Sequence, residues 1–343
     1  MNRGRALAQL SKCIRGKLPS DPDWPAILAL ANQELITAEL HSSLALEQNV
    51  PDEVKIFLAE VHRRNHARNV GLFETLKGAL AALNPARIEP ILLKGCATWV
   101  EGDELASVPA TGRISSDLDL LAPAPLFTAS VEALLSAGFE ILEDNRSVGH
   151  HPVVVMFRSG DRGTIDLHQF PPGPRGISHL DNLSAHSRSI ECGGFRAKVP
   201  TPELQILVVT LHDQLLDGHF WRGGFELRHL IDIAELSKRA TQVDWDLLYK
   251  IGRRTGLANV LAAQLLAARD IAGAAVPMER FSGLEGMLHY WRQRLQYVWP
   301  AVNAPFHWIG LNKFVWRSLS SRDLSEVRAD HEPSQKQHST GMN

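Results

Sequence analysis

Two aspartates one residue apart stand inside an apolar run, where their type and spacing could support metal chemistry. Asp117 and Asp119 lie in the segment Ser-Ser-Asp-Leu-Asp-Leu-Leu, residues 115–121. Alternate residues of a strand point to the same face, so the two carboxylates would lie side by side. Paired carboxylates repel each other and are costly to desolvate, and a divalent cation relieves both costs. Oxygen ligands of this kind suit Mg²⁺, with water and substrate phosphate completing the coordination.

Two neighbouring segments favour this interpretation over an edge strand that carries two solvated aspartates. Upstream, residues 90–95 read as a short buried strand that ends in Lys94-Gly95. Downstream, residues 163–168 read as a strand, with Asp166 and His168 on one face. A glycine at a strand-to-helix turn allows close backbone approach to a ligand, and a helix N-terminus and a lysine both favour phosphate.

Taken in order, these motifs resemble the nucleotidyltransferase superfamily related to DNA polymerase beta. The resemblance is carried by Leu-Leu-Lys-Gly at residues 92–95, Arg113, the Asp117-x-Asp119 pair, Gly138-Phe139 after a helix, and Asp166-x-His168. The chain is most similar to the bacterial branch of uncharacterised nucleotidyltransferases, in which Lys-Gly replaces the Gly-Ser or Gly-Gly of other branches. The resemblance spans about residues 88 to 260.

The resemblance implies transfer of a nucleoside monophosphate from a nucleoside triphosphate to an acceptor, with release of pyrophosphate. It implies that Asp117, Asp119 and Asp166 act as catalytic and metal-binding residues that hold two Mg²⁺ ions, with Mn²⁺ as an alternative. Asp166 would also help to take the acceptor proton. The residues expected to bind the nucleotide are Lys94, Gly95, Arg113, Ser116 and His168. His168 would either contact phosphate or orient the acceptor, and a purely structural histidine is the alternative.

The expected fold class is α+β, with a mixed β-sheet nucleotidyltransferase core between N-terminal and C-terminal helical regions. The hairpin turn expected at residues 158–163 makes its two strands antiparallel, which is why the sheet is expected to be mixed. The expected divisions are an N-terminal helical region at 1–84, the α/β core at 85–200, a C-terminal helical region at 201–317, and a disordered tail at 318–343.

Start signals support the helical regions on both sides of the core. Asp23-Trp24-Pro25 and Pro51-Asp52-Glu53 each place proline near a first helical turn, and Thr201-Pro202 offers an N-cap residue followed by proline. Residues 102–116 are expected to form a loop, and residues 191–199 a further strand. The aromatic-rich residues 288–316 favour packing of the C-terminal lobe over a contact with a membrane surface or partner.

Composition indicates which partners and which cellular compartment to expect for the protein. The 343 residues carry a net charge of −2, which gives no global attraction to nucleic acid or anionic membrane. Cys13, Cys96 and Cys192 are widely spaced, which disfavours a disulfide framework and a cysteine zinc site. No apolar run is long enough for a signal peptide or a membrane span, so we expect a cytoplasmic protein.

The sequence leaves the acceptor open among a small molecule, a peptide and a protein, and ATP is taken as the default triphosphate. Two alternative functions remain at this stage. One is a catalytically silent module that binds nucleotide or another protein. The other is a nucleotidyltransferase acting on RNA ends, which the near-neutral charge disfavours without excluding a nucleic-acid partner. The sequence does not determine the oligomeric state.

Overall fold

The computed structural model describes residues 2–45, 47–100, 104–105, 112–146, 153–239 and 243–303. In these ranges, a mixed sheet lies between helices that precede it and helices that follow it in the chain. The α+β class with a mixed sheet is therefore confirmed. The predicted disordered tail at 318–343 lies outside the described residues. The division into four regions stays a prediction.

Within the described residues, four helices precede the sheet, and the second and the fourth begin where the sequence signals place them. Asp23 caps the second helix, because its carboxylate accepts a hydrogen bond from the backbone N–H of Ala26 at 3.2 Å. The fourth helix begins after Pro51 and carries Asp52 and Glu53 in its first turn, where negative charges interact favourably with the helix dipole. The helices are α1 (Arg3–Ile14), α2 (Trp24–Gln33), α3 (Thr37–Leu44) and α4 (Asp52–Leu83).

Within the described residues, the sheet has eight strands in the order β2-β7-β8-β1-β3-β6-β5-β4. Two short helices, α5 (Lys94–Ala97) and α7 (Ser178–Asp181), and the longer α6 (Phe127–Ser136) interrupt the run of strands. The strands are β1 (Ile91–Leu92), β2 (Glu104–Leu105), β3 (Asp117–Leu121), β4 (Glu140–Asp144), β5 (Val153–Phe157), β6 (Thr164–His168), β7 (Ser187–Cys192) and β8 (Phe195–Pro200).

Both kinds of strand pairing occur in this sheet. The central strand β3 is antiparallel to β1 and parallel to β6. Strands β5 and β6 form the antiparallel pair that the turn at 158–163 predicts.

Residues 191–199, which were expected to form one strand, instead contain the end of β7, the turn at Gly193-Gly194 and most of β8. Gly193 and Gly194 have φ of +55° and +87°, which permits the tight reversal between β7 and β8. The short strand β2 likewise falls inside residues 102–116, which were expected to form a loop.

The alternation of β3 separates an apolar face from a polar one. Leu118 and Leu120 are buried in the core that Leu76 of α4 and Leu134 of α6 complete. Asp117 and Asp119 point to the opposite face, which leads toward the C-terminal helices. Helices α4 and α6 therefore cover the apolar side of β3, and the carboxylates of Asp117 and Asp119 project from its other side.

The C-terminal helices begin directly after β8. Pro202 occupies the first position of the helix as expected, but the Thr201 side chain makes no capping hydrogen bond. The helices are α8 (Pro202–Leu211), α9 (His219–Arg222), α10 (Leu227–Arg239), α11 (Trp245–Arg254), α12 (Ala258–Ala267) and α13 (Leu284–Val298), with π-helical turns at His212–Leu216 and Ala268–Ala272.

None of the helices in the described ranges combines the length and the apolar character that a bilayer span requires. The longest of them, α4, has 32 residues but is amphipathic and carries charged side chains.

The burial of Leu118 makes a prediction about stability. Leu118→Ala would leave a cavity between β3, α4 and α6, and we expect the free energy of unfolding in urea to fall by about 2–5 kcal/mol. Leu142→Ala is the matched control, because Leu142 on β4 is 58% exposed. Its effect should stay within about 0.5 kcal/mol. Equal losses in the two variants would contradict the assignment of Leu118 to the core.

Candidate active site

The pairing of β3 with β6 brings three aspartates to one face of the sheet. The two strands are parallel, and Asp119 lies directly opposite Asp166. Residues that face each other across a pair of strands project to the same side, and Asp117 shares that side because it lies two residues from Asp119. Asp119 is 4% exposed, whereas Asp117 and Asp166 are half-buried.

Asp119 is a buried carboxylate whose charge is compensated by two protein groups. The Nζ of Lys94 lies 2.6 Å from Asp119 Oδ1, and His168 Nε2 lies 2.9 Å from the same oxygen. Burial alone would raise the pKa of Asp119, but Lys94 and His168 outweigh it and hold this pKa below its usual range. A carboxylate only accepts hydrogen bonds, so His168 donates from Nε2.

Asp166 lacks such compensation, and its pKa is shifted in the opposite direction. Burial, followed by the negative charges of Asp119 and Asp117, raises the pKa of Asp166 to about 7. Lys94 offsets only part of this repulsion. The face therefore holds more negative charge than its own basic groups neutralise, which is the environment that a cation stabilises.

Lys94 reaches Asp119 from the first position of α5, directly after β1. Its φ is +46°, in the left-handed region that residues with a side chain seldom adopt. The backbone is fixed there by Leu93, whose N–H donates to the carbonyl of Asp119 at 2.9 Å. Cys96 also donates its thiol to that carbonyl, at 3.2 Å. Lys94 is thus held by β3 itself.

Gly95 is packed closely against the loop that precedes β3. A Cβ at this position would lie 2.9 Å from Ser115 Oγ and 3.1 Å from Arg113 Nη1. The close neighbours of Gly95 are therefore protein groups, and its predicted contact with phosphate stays a prediction. Ser115, which the sequence motif did not single out, is buried, whereas the predicted Ser116 is exposed beside Asp117.

Arg113 connects the sheet to both helical regions. Its Nε and Nη2 donate to the two carboxylate oxygens of Asp232 on α10, at 2.7 and 2.9 Å. The side-chain amides of Asn65 and Asn69 on α4 each donate to the carbonyl of Arg113 at 3.1 Å. The guanidinium is thus engaged in a bidentate ion pair, and its expected contact with phosphate stays a prediction.

Sequence reasoning did not identify Asp232 as the partner of Arg113. The segment Arg228-His229-x-x-Asp232-Ile233 resembles the helical region that follows the sheet in the family, and this was the available signal. Arg113 and Asp232 are 119 positions apart in the chain, which explains the omission, because local periodicity cannot pair residues so far apart.

A pocket of about 250 Å³ lies elsewhere, where α1, α13 and the segment before α10 meet. Its lining includes Arg3, Glu34 and Tyr297 but none of the three aspartates. In this lining, Arg3 Nη2 and Glu34 Oε1 form an ion pair at 3.0 Å. The pocket does not coincide with the carboxylate face, and the chemistry of the side chains favours that face as the site.

Comparison with protein families identifies the class of enzyme. A family model described as "uncharacterised nucleotidyltransferase" matches residues 20–273, which include all the site residues described above. The protein is a nucleotidyltransferase, and the chain belongs to this family. The match begins well before residue 88, so the family includes N-terminal helices that the sequence resemblance did not cover. Comparison with curated proteins and with solved structures finds no significant match.

The crowding around Asp166 predicts a pH-dependent cost to folding in protein kept free of metal with EDTA. An aspartate with a pKa of about 7 in the folded state and of about 4 in the unfolded state opposes folding increasingly as the pH rises between these values. We therefore expect Asp166→Asn to stabilise the protein by roughly 1–3 kcal/mol more at pH 8 than at pH 5.

Urea unfolding of the wild type and the variant at the two pH values provides the measurement. Glu140→Gln, which removes an exposed carboxylate from the same sheet, is the control and should give the same difference at both. An effect of Asp166→Asn that does not change with pH would show that Asp166 is not crowded by the other aspartates.

Proposed function

We propose that the protein is a metal-dependent nucleotidyltransferase that moves a nucleoside monophosphate from a triphosphate to an acceptor. The observation that carries this proposal is the convergence of Asp117, Asp119 and Asp166 on one face of the sheet. Family membership supports nucleotidyl transfer, and the carboxylate face supports dependence on a divalent metal.

The donor groups suit Mg²⁺, with Mn²⁺ as the alternative. Asp117 and Asp166 present half-buried carboxylates. The pKa of Asp166 is raised by burial and then by the neighbouring negative charges, which a cation would offset. Asp119 uses Oδ1 for both Lys94 and His168, so its second oxygen would serve a metal. Two ions bound by these residues would supply neutralisation of charge on the triphosphate and on the entering oxygen.

At the α-phosphorus, the proposed reaction forms one bond and breaks one. An acceptor oxygen attacks the α-phosphorus of the triphosphate, the bond between this phosphorus and the oxygen bridging to the β-phosphorus breaks, and pyrophosphate leaves. Asp166 takes the proton of the acceptor hydroxyl. Lys94 and His168 hold Asp119 in place, and Lys94 offers positive charge to the triphosphate.

ATP is the default triphosphate, and the acceptor is taken to be a small molecule, a peptide or a protein. The net charge of −2 supports acceptors other than nucleic acid. We also propose a cytoplasmic setting, because Cys13, Cys96 and Cys192 are free and buried in the described structure, as suits a reducing compartment.

One observation favours a second candidate, a nucleotide-binding module without transferase activity. The Lys94 ammonium contacts Asp119 directly, and a cation already neutralises this carboxylate without a metal. In such a module the triphosphate would bind through basic groups and would not release pyrophosphate.

Labelling experiments test the proposed transfer. The purified protein is incubated with Mg²⁺, a cell extract and a triphosphate labelled at either the α- or the γ-phosphate. We expect a component of the extract to acquire the α-label but not the γ-label, because the monophosphate is transferred and pyrophosphate leaves. EDTA should abolish the transfer. Transfer of the γ-label instead would indicate a kinase and contradict the proposal.

Substitutions then assign the reaction to the carboxylate face. Asp117→Asn and Asp166→Asn should each lower the labelling rate by about 100-fold or more, because each removes a charge that balances the metal. Glu140→Gln is the matched control on the same sheet and should label at the wild-type rate. Circular dichroism would establish that the variants remain folded. Triphosphate binding without any labelling by the wild type would favour the silent module.

A further inference from the structure

Three side chains outside the proposed reaction bring possible metal ligands together on the C-terminal helices. His212 begins the π-helical turn that follows α8, Asp217 follows that turn, and His229 lies on α10. One ligand atom from each of the three lies within 4.8 Å of the others. A π-helical turn changes the direction of side chains within a helix and is frequent at functional sites.

One pair of this trio already has a separation near that of two ligands on one ion. His212 Nδ1 lies 3.1 Å from Asp217 Oδ2. Zinc bonds of about 2.0–2.2 Å place two tetrahedral ligand atoms roughly 3.3–3.5 Å apart. Entry of an ion between these two groups would therefore require only a small adjustment of side chains.

His229 supplies an independent indication of a ligand. Its side chain is 5% exposed, and its buried Nδ1 has no hydrogen-bond partner among the described residues. A buried polar atom without a partner costs about 1–3 kcal/mol of folding free energy. A bound water, an ion or a catalytic role usually explains such an atom. The ring of His229 lies against that of His212, with centroids 5.7 Å apart.

A neighbouring trio, formed by Asp213, Asp217 and His219, is equally compact but already satisfied. Asp213 accepts hydrogen bonds from His219 Nδ1 at 2.6 Å, from the backbone N–H of Glu226 at 3.1 Å, and from Gln264 Nε2 at 2.6 Å. This network accounts for the burial of Asp213 without an ion. The unsatisfied nitrogen of His229 therefore favours the first trio.

Positive charges near the first trio are neutralised by their own partners. Arg113 forms its bidentate ion pair with Asp232, and Lys94 pairs with Asp119. Arg228, which adjoins His229 in the chain, pairs with Glu226. A metal ion bound by the trio would therefore have ion pairs as neighbours, not unpaired positive side chains. This lowers the electrostatic cost of binding the ion.

We propose that His212, Asp217 and His229 form a second metal site, which takes a transition-metal ion such as Zn²⁺. Two imidazoles and one carboxylate suit zinc, whereas the three aspartates of the sheet suit Mg²⁺. Three protein ligands leave a fourth position for water or another oxygen ligand. The ion would tie the π-helical turn to α10, the helix that also carries Asp232. This proposal does not depend on nucleotidyl transfer.

Metal content provides the first test. The protein is produced without a histidine tag in zinc-supplemented cells, dialysed without chelator and analysed by elemental mass spectrometry. We expect about one zinc per chain in the wild type. His229→Gln and His212→Gln should lose most of it, whereas His66→Gln, which removes an exposed histidine of α4, should retain it. Asp117→Asn should also retain it, because the carboxylate face is a separate site.

A second measurement covers the case in which the glutamine variants fail to fold. His229→Cys provides a thiolate ligand in place of the imidazole, so its cobalt-substituted form should show a thiolate-to-cobalt charge-transfer band that wild-type protein lacks. The metal-free wild type should gain several degrees in Tm on addition of Zn²⁺. Zinc-free wild-type protein with no Zn²⁺-dependent Tm shift would overturn the proposal, as would loss of zinc in His66→Gln or absence of the cobalt band in folded His229→Cys.

Discussion

The structure of the site depends on the burial of one negative charge, that of Asp119. Placing an ionised carboxylate in the interior costs several kcal/mol unless it is paired and hydrogen-bonded, and here Lys94 and His168 provide both. Each partner comes from a strand adjacent to β3, since Lys94 follows β1 and His168 ends β6. The order of strands β1-β3-β6 is therefore what makes this buried charge tolerable. The left-handed backbone of Lys94 is a local strain that the same ion pair offsets.

A second ion pair extends this arrangement beyond the sheet. Arg113 binds Asp232 of α10 through its side chain, and its carbonyl accepts hydrogen bonds from two asparagines of α4. The N-terminal helices, the loop before the aspartates and the C-terminal helices thus meet at one residue. The positions of Asp117 and Asp119 are set not only by β3 but also by helices on both sides in the chain.

Local patterns in the sequence were sufficient for the parts of the fold that depend on neighbouring residues. Alternation placed Asp117 and Asp119 on one face, and a proline near the first helical turn located the starts of α2 and α4. The hairpin of β7 and β8 was missed, because Gly193-Gly194 separates two short strands that were interpreted as one. The partner of Arg113 and the trio of His212, Asp217 and His229 could not be predicted, because they depend on how distant helices pack. The roles of the nucleotide-binding residues remain predictions, since they concern contacts with a substrate.

The parallel pairing of β3 with β6 has a consequence for how the protein folds. Parallel strands require a long connection, and here it comprises α6, β4 and β5. The entropy of closing this connection must be overcome before Asp119 and Asp166 can meet, and such non-local pairings slow folding. Strand β5 joins β6 through a short turn, so that hairpin can form first and present β6 to β3. The carboxylate face is therefore complete only once β6 has paired with β3, because Asp119 and Asp166 come from these two different strands.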